Sequence, residues 1–62
     1  MWEQYEVWAE DDLAREILVD TTKSRKEALG LGKKAMHEGA IAVKIFRETD
    51  DGDYDLIEEM RP

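Results

Sequence analysis

Cysteine is absent from this sequence, and its 62 residues include only one histidine and one proline. Without cysteine the chain forms neither a disulfide nor a thiolate zinc site, and a single histidine does not complete the usual zinc ligand sets. We therefore expect no metal and no cofactor. Small chains that lack both disulfides and metals are commonly supported by oligomerisation instead.

Long apolar runs are also missing. The longest covers residues 40–43, far short of the roughly 20 residues that a helix needs to cross a bilayer. No basic region followed by an apolar segment opens the chain, so we expect no signal peptide and a cytoplasmic protein. The net charge of −7 disfavours general association with nucleic acid or anionic membranes. The terminal Pro62 fits either a true chain end or the start of a linker.

Patterned segments cover most of the chain, and no internal repeat is evident. Alternating apolar residues predict strands near residues 2–9, 15–22, 40–48 and 53–60. Ser24 and Glu27 have the capping-box spacing and Gly39 follows an apolar stripe, which together predict a helix near 25–38. The sequence therefore predicts one α+β domain over residues 1–62. Its order is ββαββ, with a four-stranded antiparallel sheet in the order 2-1-3-4 and the helix on one face.

The register of the first hairpin follows from where its apolar residues meet. We expect Val7 opposite Ile17 and Tyr5 opposite Val19, because this pairing puts four apolar side chains on one face. The connection between the two strands is then a longer acidic loop.

For the second hairpin we expect a two-residue turn at Asp51-Gly52, a dipeptide that favours tight hairpin turns. Tyr54 and Leu56 then face the helix, and Ile57 faces away from it. A slip of one residue would pair Ile45 with Ile57 instead, but the first register gives a lysine an acidic partner. The pairs of the first register are Phe46–Ile57, Lys44–Glu59, Val43–Met60 and Arg47–Leu56.

The acidic stretch around Gly52 resembles a calcium-binding loop only in part. With Gly52 at position six of an EF-hand loop, Glu58 falls at position twelve, but Arg47 falls at position one, where a calcium ligand is required. The flanking segments also alternate like strands, whereas an EF-hand needs helices. The stretch is therefore interpreted as a turn between strands, with no metal site.

No arrangement of catalytic residues is recognisable. Asp53 and Asp55 share a strand face beside an exposed turn, with nothing to enclose them. The run 10–12 is an ordinary acidic loop. The segment 30–34, GLGKK, lacks the glycine and the hydroxyl that a Walker loop places around its Gly-Lys. His37 lies at a helix end with no nucleophile beside it. We therefore expect a protein that is not an enzyme.

Charge is distributed unevenly along the chain. Acids dominate residues 1–21 and 40–62, while residues 22–39 carry five bases against two acids. A basic helix face predicts phosphate contacts or, equally well, contact with an acidic protein surface. The alternative function is therefore a nucleic-acid-binding accessory domain that uses Arg25, Lys26, Lys33 and Lys34.

The far side of the predicted sheet is the preferred candidate site. One helix covers only one face, and strand alternation leaves large apolar side chains on the other. Exposed apolar patches commonly mark interfaces, and tryptophan is enriched at binding hot spots. The opposing interpretation is that some strands are out of phase and part of the set is core. We predict an interaction module, either a homodimer formed through the open sheet face or an edge strand, or the binder of another protein. The predicted interface residues are Trp2, Trp8, Leu18, Phe46 and Ile57, with Ala42 beside them.

Overall fold

The computed structural model describes residues 3–62, which form four strands and one helix. All neighbouring strands are antiparallel, and their order across the sheet is β2-β1-β3-β4. The predicted α+β class, ββαββ layout and strand order are confirmed. No helix within residues 3–62 has the length and apolar character needed to cross a membrane. The elements are β1 (Glu3–Glu10), β2 (Glu16–Thr22), α1 (Arg25–His37), β3 (Ala42–Thr49) and β4 (Tyr54–Met60).

Helix α1 begins with a modified form of the predicted capping box. The Ser24 hydroxyl accepts the backbone N–H of Glu27 at 3.3 Å. The Glu27 carboxylate accepts the Thr22 hydroxyl at 2.6 Å, and that hydroxyl in turn accepts the Ser24 N–H at 3.3 Å. Thr22 is the last residue of β2, so the same bonds that satisfy the helix terminus also tie β2 to the helix.

The C-terminal end of α1 has the glycine cap that the sequence predicts. Gly39 has a φ of 108°, and its N–H donates to the Met36 carbonyl at 3.2 Å. The next N–H, from Ala40, donates to the Ala35 carbonyl at 3.0 Å. These two bonds define a Schellman motif, which stops the helix and directs the chain into β3.

The core lies between α1 and the two central strands. Its fully enclosed large side chains are Val7, Val43 and Ile45. The helix approaches closely because Gly32 faces this layer: a Cβ at Gly32 would lie 3.1–3.2 Å from side-chain atoms of Met60 and Val43. No residue of β2 belongs to the core cluster. Strand β2 is therefore held mainly by its pairing with β1 and by the start of the helix.

The second hairpin closes through a three-residue loop, 50–52, and the predicted two-residue turn was wrong. The Gly52 N–H donates to the Thr49 carbonyl at 3.0 Å, and the Thr49 N–H donates to the Asp53 carbonyl at 3.1 Å. Loops of this kind combine a type I turn with a residue of positive φ, here Gly52 at 85°. The additional loop residue shifts the strand pairing by one position.

A bulge in β4 reverses that shift. Near the loop Phe46 faces Leu56, and the predicted pair Phe46–Ile57 was wrong. Arg47 faces Asp55, so the predicted pair Arg47–Leu56 was also wrong. The register changes between Ile45 and Phe46, and beyond this point the predicted pairs Lys44–Glu59 and Val43–Met60 are confirmed.

The loop and the bulge together determine which face each β4 side chain occupies. Ile57 is the additional residue, and it packs against the core beneath α1. Tyr54 and Leu56 lie on the opposite face, the side of the sheet that carries Phe46. The predicted faces of these three β4 residues were therefore wrong. The additional loop residue places Tyr54 and Leu56 on the open side of the sheet, and the bulge places Ile57 on the helix side.

The loop of the first hairpin is built in the same way. The Ala14 N–H donates to the Asp11 carbonyl and the Asp11 N–H donates to the Arg15 carbonyl, both at 3.0 Å. Ala14 takes the positive φ, at 62°. The Asp11 carboxylate also accepts the N–H groups of Leu13 and Arg15, at 2.9 and 3.0 Å.

The pairing predicted for the first hairpin was also wrong. The longer acidic loop that was expected is a three-residue loop, 12–14, and β2 contains a bulge. Val7 faces Asp20 in place of Ile17, and Tyr5 faces Thr22 in place of Val19. Val19 is the additional residue of a bulge in β2, since the pairing passes from Asp20 to Leu18. Ile17 and Val19 remain exposed and add nothing to the core.

The two hairpins correspond residue by residue. Residue n of the first matches residue n + 38 of the second, so that Trp8, Leu18 and Val19 correspond to Phe46, Leu56 and Ile57. The central pairing obeys the same rule, because exchanging the hairpins turns the pair Trp8–Lys44 into Phe46–Glu6. The sheet therefore has a pseudo-twofold axis between β1 and β3, an internal repeat that the sequence analysis missed.

Candidate interaction surface

The face of the sheet that α1 leaves uncovered, called here the open face, carries a row of apolar side chains. Trp8 and Leu18 lie opposite each other in the first hairpin, and Phe46 and Leu56 do so in the second. Leu18 is 44% and Leu56 50% exposed, while the two aromatic residues are half-buried. The row is related to itself by the pseudo-twofold axis, so it extends across all four strands.

The predicted interface residues are only partly brought together here. Trp8, Leu18 and Phe46 share the open face. Ile57 lies on the helix side, and Leu56 takes the place predicted for it. Ala42 also belongs to this face by register, but its neighbours bury it. Trp2 lies outside the described residues. Whether this row forms an interface stays a prediction.

An open pocket of about 310 Å³ lies on this face, close to the pseudo-twofold axis. Both hairpins contribute to its walls, and it contains three of the chain's aromatic rings. Tyr54 was not among the predicted interface residues, because its pairing with Glu48 on this face depends on a loop one residue longer than expected. The lining residues are Glu6, Trp8, Glu16, Phe46 and Tyr54.

Hydrogen bonds to carboxylates fix the polar side of the pocket. The Trp8 indole N–H donates to Glu6 Oε1 at 3.0 Å. The Tyr54 hydroxyl oxygen lies 2.9 Å from the other carboxylate oxygen, Glu6 Oε2. The same hydroxyl lies 3.1 Å from Glu48 Oε2. The bond to Glu6, loss of hydration and the bond to Glu48 raise the pKa of Tyr54 to about 12. Tyr54 is therefore a neutral donor at physiological pH.

Acids outnumber bases on the open face. Lys44, which lies opposite Trp8, reaches Glu16 at 3.2 Å, although its partner by register is Glu59. Glu59 pairs instead with Arg61 at 2.7 Å. The acids of this face that form no ion pair within residues 3–62 are Glu6, Glu10 and Glu48.

The opposite side of the molecule is basic. The outer surface of α1 carries four exposed cations and no aromatic residue. A cleft of about 400 Å³ separates part of the helix from β2, and the exposed Gly30 lines it, with nothing near the position of its missing Cβ. The four cations, which are the predicted nucleic-acid-binding residues, are Arg25, Lys26, Lys33 and Lys34.

The acidic loops have structural partners or face water. Asp55 pairs with Arg47 at 3.2 Å. Bonds from the Arg15 and Leu13 N–H groups lower the pKa of Asp11, which holds the first loop together. Within residues 3–62 no three His, Asp or Glu side chains come together in a way that could hold a metal ion. His37 is exposed at the end of α1.

The sequence matches no protein-family model, and neither the curated proteins nor the solved structures provide a match.

Proposed function

We propose that this protein is a small non-enzymatic interaction module that associates with itself. In this association the open face of one copy contacts the outer, basic side of α1 in the next copy. The observation that carries the proposal is that two opposite sides of the molecule differ in character. One side has an apolar row framed by carboxylates that form no ion pair within residues 3–62, and the other has four exposed cations.

Charge complementarity favours this arrangement over a symmetric one. Two open faces in direct contact would bring Glu6, Glu10 and Glu48 of one copy near the same acids of the other, and juxtaposed like charges oppose association. A contact between open face and helix instead joins opposite charges. Such a contact is heterologous, so it closes into a ring or continues as a chain.

The apolar row and the dimensions of the sheet suit a protein partner. The molecule measures 36 × 20 × 15 Å by its Cα positions. Its broad face is of the order of the roughly 800 Å² that each partner buries in a standard interface. Trp8 and Phe46 lie at the centre of this face, with charged residues around them as a rim. Aromatic residues are enriched in protein interfaces, and tryptophan is enriched among the residues that contribute most binding energy.

Sedimentation velocity at micromolar concentration tests the proposal. We expect wild type to sediment as species larger than a monomer, with the fraction of large species falling as salt increases. Leu56→Asp on the open face and Lys33→Glu on the helix should each lower the association constant at least tenfold. Leu13→Asp is the matched control, because Leu13 is 67% exposed in the first loop and belongs neither to the apolar row nor to the helix.

Mixing the two damaging variants distinguishes the proposed contact from a symmetric one. Leu56→Asp retains an intact helix surface and Lys33→Glu retains an intact open face, so an equimolar mixture should form heterodimers that grow no further. A symmetric dimer of open faces would show no such rescue. A weak interface has a dissociation constant on the order of 100 μM. If wild type remains monomeric at about that concentration, self-association is contradicted altogether.

The exposed cations of α1 support a second candidate function, the binding of nucleic acid. The nucleic-acid phosphates would contact Arg25, Lys26, Lys33 and Lys34. Each phosphate charge that these residues neutralise makes the affinity more dependent on salt. Titration with single- and double-stranded DNA and RNA at low salt tests this function. Absence of salt-dependent binding, or binding that Lys33→Glu leaves unchanged, would exclude it.

A further inference from the structure

The pocket on the open face has different chemistry on its two sides, although the pseudo-twofold axis relates them. On one side Glu16 contacts Lys44 across the sheet at 3.2 Å. At the equivalent place on the other side Tyr54 contacts Glu6 at 2.9 Å. The first contact joins a carboxylate to a cation, and the second joins a carboxylate to a neutral phenol. The Glu6 side of the pocket therefore lacks the positive charge that its counterpart has.

The Tyr54 hydroxyl does not compensate for that charge. It carries one hydrogen, yet it lies within hydrogen-bond distance of both Glu6 and Glu48, at 2.9 and 3.1 Å. It can donate to only one of these carboxylates at a time. The oxygen of the other carboxylate then faces the lone pairs of the Tyr54 hydroxyl without a hydrogen between them, which is a repulsive contact. An additional cation beside Glu6 would relieve this arrangement and balance the two negative charges.

The remaining walls of the pocket select the kind of cation. Trp8, Phe46 and Tyr54 supply aromatic rings, whose faces attract cations. Metal ions prefer shells of oxygen, nitrogen or sulfur ligands, and no such group of acidic or histidine side chains is found within residues 3–62. Aromatic walls with carboxylates at one side are instead suited to an ammonium ion that carries alkyl groups. A pocket of about 310 Å³ has room for a trimethylammonium or lysine head group.

We propose that the pocket formed by Glu6, Trp8, Glu16, Phe46 and Tyr54 binds an organic ammonium group. The aromatic rings contact its alkyl substituents, and Glu6 provides the opposing charge. This site deepens the proposed function, since it lies on the face through which the module associates. The ammonium group belongs either to a lysine of the bound copy or to a separate small molecule.

The test compares choline with its neutral isostere 3,3-dimethyl-1-butanol, which has the same shape without the charge. Binding is followed by the NMR shift of the Trp8 indole N–H, assigned by its disappearance in Trp8→Phe. We expect saturable shifts with choline and an affinity about tenfold higher than that of the neutral alcohol. Sodium chloride at matching ionic strength should give no saturable shift.

Two isosteric variants separate the pocket from the general charge of the face. Glu6→Gln removes the charge inside the pocket, and Glu59→Gln removes one charge from the same face beside Arg61. We expect Glu6→Gln to weaken choline binding about fivefold or more, and Glu59→Gln to change it less than twofold. Three outcomes would overturn the proposal. They are equal affinity for choline and the neutral alcohol, equal effects of the two variants, and no saturable shift at choline concentrations up to about 100 mM.

The source of the ammonium group is determined in a separate arm. If a lysine of a second copy fills the pocket, saturating choline should reduce the association measured by sedimentation, relative to sodium chloride at the same ionic strength. Undiminished association with choline bound would assign the pocket to a small molecule. Association without choline binding would leave the proposed function in place and exclude the ammonium site, and choline binding to a strictly monomeric protein would do the reverse.

Discussion

The two hairpins share one backbone plan but contribute unequally to the fold. Each has a three-residue loop whose last residue has positive φ, and each has one additional residue in its outer strand. In the second hairpin these positions are Gly52 and Ile57, and Ile57 packs against the core. In the first they are Ala14 and Val19, and Val19 is 41% exposed. The same geometry is therefore well supported in one hairpin and poorly supported in the other.

The largest expected difference concerns the two bulge residues. Ile57→Ala should lower the free energy of unfolding by about 1–2 kcal/mol, because it removes apolar contacts beneath the helix. Val19→Ala should change it by less than about 0.5 kcal/mol, as expected for an exposed site. Urea unfolding at low micromolar concentration measures both. A loss for Val19→Ala as large as that for Ile57→Ala would mean that β2 is covered in solution, and the two hairpins would then be equally anchored.

The residues of positive φ should respond in opposite directions. Gly52→Ala introduces a Cβ at a φ of 85° and should destabilise the protein by about 1 kcal/mol. Ala14→Gly removes the same kind of strain and should stabilise it by up to about 1 kcal/mol, less the greater entropy of glycine in the unfolded chain. Thermal unfolding of both variants tests this. If the two substitutions shift the midpoint in the same direction, the loops are not equivalent.

The smallest expected differences appear at the extremes of pH, one for each hairpin. The pKa of Tyr54 is raised in the folded protein, so its contribution to stability is fully present below about pH 10 and is lost as pH rises toward about 12. Tyr54→Phe should therefore flatten the fall in stability over that range. If wild type and Tyr54→Phe lose stability in parallel from about pH 10 to 12, the Tyr54 hydroxyl does not donate to Glu6 or Glu48 in solution.

The change of stability at low pH depends on Asp11 in the first hairpin. The pKa of Asp11 is lowered, so its contribution is present above its ordinary value of 3.8 and is lost as pH falls below it. Asp11→Asn should reduce the slope of stability against pH in that range. Asp12→Asn, at a neighbouring exposed loop position, is the matched control. Chemical denaturation at pH 2–5, about the range in which carboxylates titrate, measures both variants.

The parts of the fold that the sequence predicted are those determined by neighbouring residues. Ser24 and Gly39 determine the helix ends through bonds within a few residues, and the strand order follows from short connections. The pairs Lys44–Glu59 and Val43–Met60 were predicted correctly because two errors in the predicted structure cancel, each of them one residue in size. The loop is one residue longer than expected, and the bulge at Ile57 compensates for it.

The candidate surface was harder to predict, because side-chain direction changes at every bulge. Trp8, Leu18 and Phe46 were assigned to the correct face, and Tyr54, Leu56 and Ile57 were not. A usable signal was nevertheless present in the sequence. Aligned at the offset of 38, the first hairpin's Val-Trp-x-Glu-x-Asp matches Ile-Phe-x-Glu-x-Asp, and its Leu-Val-Asp matches Leu-Ile-Glu. Had that repeat been recognised, it would have indicated equivalent faces for the two hairpins.

The pseudo-twofold axis gives a ligand of the open face two ways to lie. Rotated by half a turn, an apolar segment would meet Phe46 and Leu56 where it had met Trp8 and Leu18, with nearly the same shape beneath it. The clearest difference between the two poses is one of charge, because the rotation exchanges Glu6 with Lys44. An uncharged guest would thus bind in both directions, whereas a guest with a positive group at one end would be held in a single direction by Glu6.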